Sequence, residues 1–281
     1  MGGALAALEL ERCELCEHRC AVDRTRELGV CRLPAQARVY RAFLHHGEEP
    51  EYSPTFALFL TGCSFRCAYC SEQAEVADPA GGVALDVPAL LDRIAAAARE
   101  GARSVSFIGG NPDESLVALL PLVSEIRALP VVWNSNLYLT AAALGELLPH
   151  VRTFVPDYKF GNDACARRIA RAGSYTETLQ RNLRIVHRTT RVIVRHLVMP
   201  GHLECCLEPV CRFVARELPR ATCNLMTQYE PLFAAGLGAF PPLDGDLARR
   251  PGRAEIDGAI DAARRAGLDV FWVDGKEAPR G

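Results

Sequence analysis

The sequence contains no apolar run approaching the ~18 uninterrupted residues of a membrane span. It also has no block of basic residues, no low-complexity tract and no internal repeat beyond an alternation of strand and helix. At its start, Met1-Gly2-Gly3-Ala4-Leu5, no basic segment precedes a long apolar core. The formal net charge is only −2, with arginines dispersed among carboxylates. Nothing in that balance calls for nucleic acid or an anionic membrane, and a cytoplasmic protein is expected. What is abundant is cysteine, with 12 in 281 residues. In such a compartment thiols read as metal ligands or reduced side chains rather than as a disulfide framework. A chain of this length with 49% hydrophobic residues can bury one sizeable core.

The densest group is Cys63-Ser64-Phe65-Arg66-Cys67-Ala68-Tyr69-Cys70, a C-x3-C-x2-C spacing directly after the apolar Phe56-Ala57-Leu58-Phe59-Leu60-Thr61-Gly62. Thiolates are the soft ligands that iron–sulfur clusters require, and a loop leaving a strand can wrap three of them around one cube. A [4Fe-4S] cube has four irons, so three cysteines leave one iron free to bind something that reacts. A closed zinc or electron-transfer site needs a fourth ligand, and none lies in this loop. A zinc site completed by a distant His or Cys, or three free buried thiols, are the alternatives.

A second group opens the chain, as Cys13-x2-Cys16-x3-Cys20 followed by Cys31. About thirty residues build no hydrophobic core of their own, so a staple is expected. A structural zinc and a second [4Fe-4S] cluster both fit the spacing, as does a disordered arm carrying thiols, and His18 is placed to replace one thiolate. The third group, Cys165, Cys205, Cys206, Cys211 and Cys223, follows no cluster spacing. Cys205 and Cys206 stand at the exit of a strand, where they either touch substrate or donate a hydrogen atom. Otherwise they are small buried hydrophobes.

From Phe56 onward the pattern is a strand followed by a helical stretch, repeated. Strands are expected at Phe56–Thr61, Ser104–Ile108, Pro130–Asn136, Thr153–Lys159, Arg191–Pro200 and Cys223–Tyr229. Helices are expected over Asp86–Glu100, Asp113–Leu129, Thr140–Leu148, Asn162–Arg188 and Glu204–Leu218, several opening on Asp, Thr or Asn caps. Alternation of this kind implies an α/β fold with parallel strands and right-handed crossovers, here a partial (β/α)6 TIM-like barrel. Val39–His46 reads as a strand leading in. The helical Ala254–Ala266 and strand Leu268–Val273 extend or close the sheet, and the Gly- and Pro-rich Pro231–Gly252 reads as a covering loop. The expected organisation is a cysteine-rich metal-binding segment at 1–38, the partial barrel at 39–230 and a closing extension at 231–281.

In parallel α/β folds ligands lie beyond the carboxyl ends of the strands, and this chain places polar residues there. Gly109-Gly110-Asn111-Pro112 lets backbone approach a ligand closely. Asn134-Ser135-Asn136 offers donors and acceptors suited to ribose hydroxyls or a carboxylate. Asp157 and Lys159 share one face of their strand, and Gln228 and Tyr229 end the sixth. Arg195 and His196 are costly in an apolar strand unless paired, either to Asp157 or to a bound carboxylate.

The cysteine loop, with Tyr69 before its last cysteine, resembles the signature of the radical SAM superfamily. The match extends through Gly-Gly-Asn-Pro, "VVWNSNLY", "PDYKFGNDACA", "RHLVMPGHLECC" and "NLMTQYEP", and resembles the pyruvate formate-lyase-activating-enzyme-like branch over nearly the whole chain. The resemblance implies that Cys63, Cys67 and Cys70 hold a [4Fe-4S] cluster whose open iron chelates S-adenosylmethionine. It implies that an electron donor such as flavodoxin or ferredoxin reduces the cluster, and that a 5′-deoxyadenosyl radical then abstracts a hydrogen atom. It also implies that Gly109, Gly110 and Asn111 receive the cofactor's amino group, with Asn111 standing where an acidic residue is usual. Asp157, Lys159 and Arg195 would lie beside the cofactor. The substrate does not follow from it. A glycine on a partner protein and a small molecule or peptide both remain, and a non-catalytic electron carrier or zinc scaffold is the reading from another class.

Overall fold

The computed structural model describes residues 10–47, 49–78, 80–234 and 236–278, and the chain divides into two compact units. The first comprises Met1–Ser64 and Ala74–Phe154, and the second Phe65–Gln73 and Val155–Gly281.

In the first unit β2 (Thr55–Leu60) pairs in parallel with β4 (Ser104–Gly109), and β4 pairs in parallel with β5 (Val131–Ser135). On its other side β2 pairs antiparallel with β1 (Arg38–His45), which carries the short β3 (Val83–Ala84). A strand flanked on both edges and covered on both faces must be apolar throughout, which is why β2 reads Thr-Phe-Ala-Leu-Phe-Leu with Leu58 and Leu60 fully buried. Helix α1 (Gln73–Ala77) follows the cysteine loop. Helix α2 (Val87–Arg99) starts where the Asp86 carboxylate accepts from the Ala89 N–H at 3.1 Å. Helix α3 (Leu116–Glu125) is shorter than the sequence implies, because Pro112–Ser115 forms a 3-10 turn first. Thr140 caps α4 (Ala141–Leu147).

The cysteine-rich N-terminal segment does not stand apart. Leu15 and Leu33 are each 1% exposed, Cys16 bridges to Leu139, and Thr140 N–H donates to the Leu15 carbonyl. Arg24, buried, donates to the carbonyls of Leu33, Pro34 and Glu114 at 3.2, 2.7 and 2.6 Å. The segment borrows the core of the first unit, which answers the objection that thirty residues build none.

The chain passes into the second unit within β6 (Thr153–Pro156). There β7 (Arg191–Leu197), β8 (Thr222–Met226) and β9 (Trp272–Val273) run parallel, with β10 (Lys276–Glu277) antiparallel on β9. The expected terminal strand thus extends this sheet, but over two residues only. The expected helix Asn162–Arg188 is two helices, α5 (Asp163–Ala170) and α6 (Tyr175–Thr189). Arg171 and Ser174 take left-handed backbone at φ 56° and 44°, which no helix continues through. Helices α7 (Glu208–Glu217) and α8 (Arg253–Arg265) complete the unit, and a π-turn over Leu203–Leu207 precedes α7. The strand–helix repeats headed by β2, β4, β5, β6, β7 and β8 are those of a partial (β/α)6 barrel. Among the described residues no helix is long and apolar enough to cross a membrane.

Candidate functional site

In the first unit a closed circuit of hydrogen bonds surrounds the exit of β2. Asn136 Nδ2 donates to Cys63 Sγ at 3.3 Å, and the Asn136 backbone N–H donates to Asn111 Oδ1 at 2.9 Å. Asn111 Nδ2 donates to Glu114 Oε2 at 2.7 Å, and Glu114 Oε1 accepts from the Ser64 N–H at 3.0 Å, beside Cys63 again. The ends of β2, β4 and β5 are thereby tied through one buried carboxylate. A donor aimed at a sulfur favours its thiolate, the form a metal needs. Gly110 is required for this approach: a Cβ there would collide with the Gly62 carbonyl oxygen, a backbone atom that cannot yield. Asn111 spends its side chain within the protein, and Asn134 lies buried on β5.

Glu114 and Asp113 are buried acids that the sequence reading passed over. Burial, and then the neighbouring Asp113 charge, push the Glu114 carboxyl up to about 7. Asp113 is likewise raised by burial, against the donors Trp133 Nε1 at 2.8 Å and the Tyr138 N–H at 3.1 Å. The available signal was two acids, Asp113 and Glu114, in the turn after Gly109-Gly110-Asn111-Pro112.

The N-terminal thiols Cys13, Cys16 and Cys31 are buried in this unit, and Cys20 is half-buried. Burial pushes the Cys31 thiol up to about 11, against the pull of Arg24, whose Nη1 lies 3.9 Å from Cys13 Sγ. His18 packs against Tyr138 with ring centroids 5.2 Å apart.

In the second unit the cysteine loop continues along the end of α5, where Arg66 and Ala68 N–H groups donate to the Ala170 and Ile169 carbonyls, both at 2.9 Å. Burial raises the Cys67 thiol, with Lys159 pulling it back, and burial followed by Cys67 pushes Cys70 up to about 12. Thiols in such surroundings hold their protons until a metal cation takes the place. Both are free of disulfides, as is Cys63. Lys159 Nζ pairs with Asp157 Oδ2 at 2.8 Å. Burial works against the Lys159 charge, but Asp157 and Cys67 more than offset it, and its pKa lies above the ordinary lysine value.

Asp157 therefore pairs with Lys159, while Arg195 meets this strand through its carbonyl, which accepts from the Tyr158 N–H at 2.9 Å. His196 is paired too: its Nδ1–H donates to the Tyr158 carbonyl at 2.8 Å, and burial takes its pKa down to about 4. Tyr229 packs edge-on against Tyr69 at 5.5 Å and donates its hydroxyl to the Leu247 carbonyl at 2.7 Å. Within Pro231–Gly252, Phe240 reaches the cysteine loop, its ring centre 5.8 Å from Arg66, and Leu237 N–H donates to Gln73 Oε1 of the following helix at 3.2 Å.

Comparison with known proteins places this geometry. A profile of the Radical SAM superfamily matches residues 58–214. An uncharacterized protein of Methanocaldococcus jannaschii is 34% identical over 269 residues, covering 93% of this chain and 77% of the relative. Among solved structures, Streptococcus suis SuiB superposes with a TM-score of 0.52 at 11% identity, covering 77% of this chain and 47% of SuiB. SuiB bound to S-adenosylmethionine superposes with a TM-score of 0.50 at 13% identity, over 72% of this chain and 45% of that one. The chain thus spans just under half the length of SuiB, and the likeness is one of fold.

Proposed function

The chain belongs to the radical SAM superfamily, and from that membership we propose an enzyme that cleaves S-adenosylmethionine reductively and abstracts a hydrogen atom from a small molecule or peptide. Its cluster ligands are Cys63, Cys67 and Cys70, three free thiols on one loop, and this donor set fits a [4Fe-4S] cluster. When bound, the reduced cluster supplies one electron to S-adenosylmethionine, giving methionine and a 5′-deoxyadenosyl radical. The remaining work falls to side chains and backbone. Asn136 stabilises the Cys63 thiolate by donating to it. Lys159 does the same for Cys67 by charge. The Gly109-Gly110 backbone is assigned to accept from the cofactor's ammonium group. Asn134, Asp157 and Arg195 are assigned to its ribose and carboxylate. Flavodoxin or ferredoxin is the class of electron donor such chemistry uses.

The observation that carries the small-molecule or peptide reading is the contact of Phe240 with Arg66 in the cysteine loop, of Leu237 with Gln73 just after it and of Leu247 with Tyr229, which packs on Tyr69. A loop seated there excludes solvent from radical chemistry, as a covering loop should. Activation of a partner-protein glycine would require that loop to leave. SuiB has been solved with a precursor peptide, which agrees with a peptide as one substrate class for this fold. Cys13, Cys16, Cys20 and Cys31 are assigned a second metal centre.

Anaerobic reconstitution with iron and sulfide, followed by dithionite and S-adenosylmethionine, tests the reading. The wild type should form 5′-deoxyadenosine and Cys67→Ala should fall to the level without protein. Cleavage at the wild-type rate in Cys67→Ala refutes the cluster assignment.

A further inference from the structure

Outside the site already described, three cysteines and a histidine converge in the second unit. Cys165 sits in the first turn of α5, and His202, Cys205 and Cys206 lie in the turn between β7 and α7. Cys165 Sγ is 3.9 Å from Cys205 Sγ, and Cys205 Sγ is 3.8 Å from Cys206 Sγ. His202 Nδ1 lies 3.2, 3.6 and 3.8 Å from the sulfurs of Cys205, Cys206 and Cys165. All four ligand atoms fall within 4.8 Å of one another.

Around a tetrahedral zinc, with bonds of about 2.3 Å to sulfur and about 2.0–2.1 Å to nitrogen, ligands stand about 3.8 Å (S to S) and about 3.6 Å (S to N) apart. The observed separations are of that size. A cubane cluster spreads its thiolates over separate irons and needs wider spacing, so the set suits one ion. The geometry points to a structural Cys3His site for a single divalent zinc at Cys165, His202, Cys205 and Cys206.

The surroundings are built for it. The π-turn Leu203–Leu207 is wider than an α-turn and brings the consecutive Cys205 and Cys206 to one point, with their sulfurs unbonded to each other. Asn162 joins the two loops: Oδ1 accepts from the Cys165 N–H at 2.8 Å, and Nδ2 donates to the Cys205 carbonyl at 2.8 Å. A Cβ on Gly161 would come within 2.6 and 2.7 Å of the Cys206 and Cys205 carbonyl oxygens, so only glycine lets the loops close up. Cys206 and His202 are buried, while Cys165 and Cys205 are half-buried, leaving an entry for the ion.

Binding forms three metal–sulfur bonds and one metal–nitrogen bond and releases three thiol protons to solvent. The site then carries one net negative charge, which the Arg168 guanidinium, 3.2 Å from His202 Nε2, offsets. Arginine only donates, so in the metal-free form Nε2 accepts from it and Nδ1 carries the proton. Ligation at Nδ1 moves that proton to Nε2. Nε2–H then no longer accepts from Arg168, which keeps its pairing with Asp244, 3.6 Å away, while its charge still lies near the site.

The ion would pin the loops that follow β6 and β7, whose ends carry Asp157, Lys159 and Arg195. Its presence is separable from the radical chemistry, because zinc and 5′-deoxyadenosine are read independently. The test is zinc and iron quantification on anaerobically purified full-length wild type, His202→Ala, Cys165→Ser, and a variant with Cys13, Cys16, Cys20 and Cys31 changed to Ser. His202→Ala and Cys165→Ser should each hold about one zinc per chain fewer than the wild type, with their iron unchanged, and the N-terminal variant should keep that one zinc whatever metal it loses. A zinc content in His202→Ala equal to the wild type, or an N-terminal variant with no zinc, overturns the assignment. Should those variants fail to fold, cobalt(II) added to the zinc-depleted variant lacking Cys13, Cys16, Cys20 and Cys31 decides. A tetrahedral thiolate spectrum reached at one equivalent supports the site, and a weak octahedral spectrum refutes it.

Discussion

Two cysteine groups in this chain differ in how they are made. Cys13, Cys16, Cys20 and Cys31 lie within one short segment and announce themselves by spacing, yet the segment is held by Leu15, Leu33 and Arg24 against the first unit. Cys165, His202, Cys205 and Cys206 announce nothing, being drawn from two loops 37 or more residues apart, yet their ligand atoms already stand at single-ion distances. Regular spacing marks a site that a local loop wraps around its metal. A site closed by two loops meeting is set by the strands that feed them.

The comparison breaks most sharply at Cys16→Ser. If the N-terminal thiols share a metal, this variant should lose about four irons per chain, or one zinc, and leave the metal at Cys165 in place. Since the segment is also anchored by apolar burial, its protease sensitivity at Arg19 and Arg26 should rise without the rest of the protein unfolding. Unchanged metal content and unchanged digestion would mean that the segment is held by packing alone.

Gly161→Ala sharpens the other side. Its Cβ would press on two backbone carbonyls of the π-turn, an overpacking expected to cost about 1–3 kcal/mol. Thermal melting should fall by several degrees. Zinc content should fall with it while the N-terminal metal is retained. A melting temperature and zinc content equal to wild type would show that the two loops need not approach so closely.

The last effect appears only below neutral pH, at the strand that leads into the His202 loop. Burial holds the folded-state pKa of His196 at about 4, below its ordinary value of 6.5. Between those values the unfolded chain binds a proton that the folded chain does not, so stability rises with pH across about 4 to 6.5 and is lost as pH falls through that window. The full difference is on the order of 3 kcal/mol. In His196→Asn the slope of unfolding free energy against pH should flatten over this range. An unchanged slope would place the acid sensitivity elsewhere.

Much of the fold was legible because strands buried on both faces carry apolar stretches, as β2 and the Val192–Val194 part of β7 do, each followed by a helical stretch. The shared strand face of Asp157 and Lys159 was legible, but the sequence offered Asp157 to Arg195, whereas it pairs with Lys159. The break at Arg171–Ser174 was not legible, since neither residue is one that ordinarily takes left-handed backbone, and helical composition runs across it. Glu114 was passed over because a carboxylate in a turn looks solvated until Ser64 and Asn111 are seen donating to it in a buried place.

The sequence by itself determined the chemistry available to this protein: three cysteines on one loop after an apolar strand, glycines where backbone must approach, and strand–helix alternation that puts polar ends together. These are local properties, set by spacing and by the period of apolar residues. Only the tertiary structure decided that Asn136 donates to Cys63, that Asn111 serves Glu114 instead of a ligand, and that His202 meets three thiols. Each of these joins residues far apart in the chain, and such contacts are chosen by how the strands pack, which no window of sequence contains.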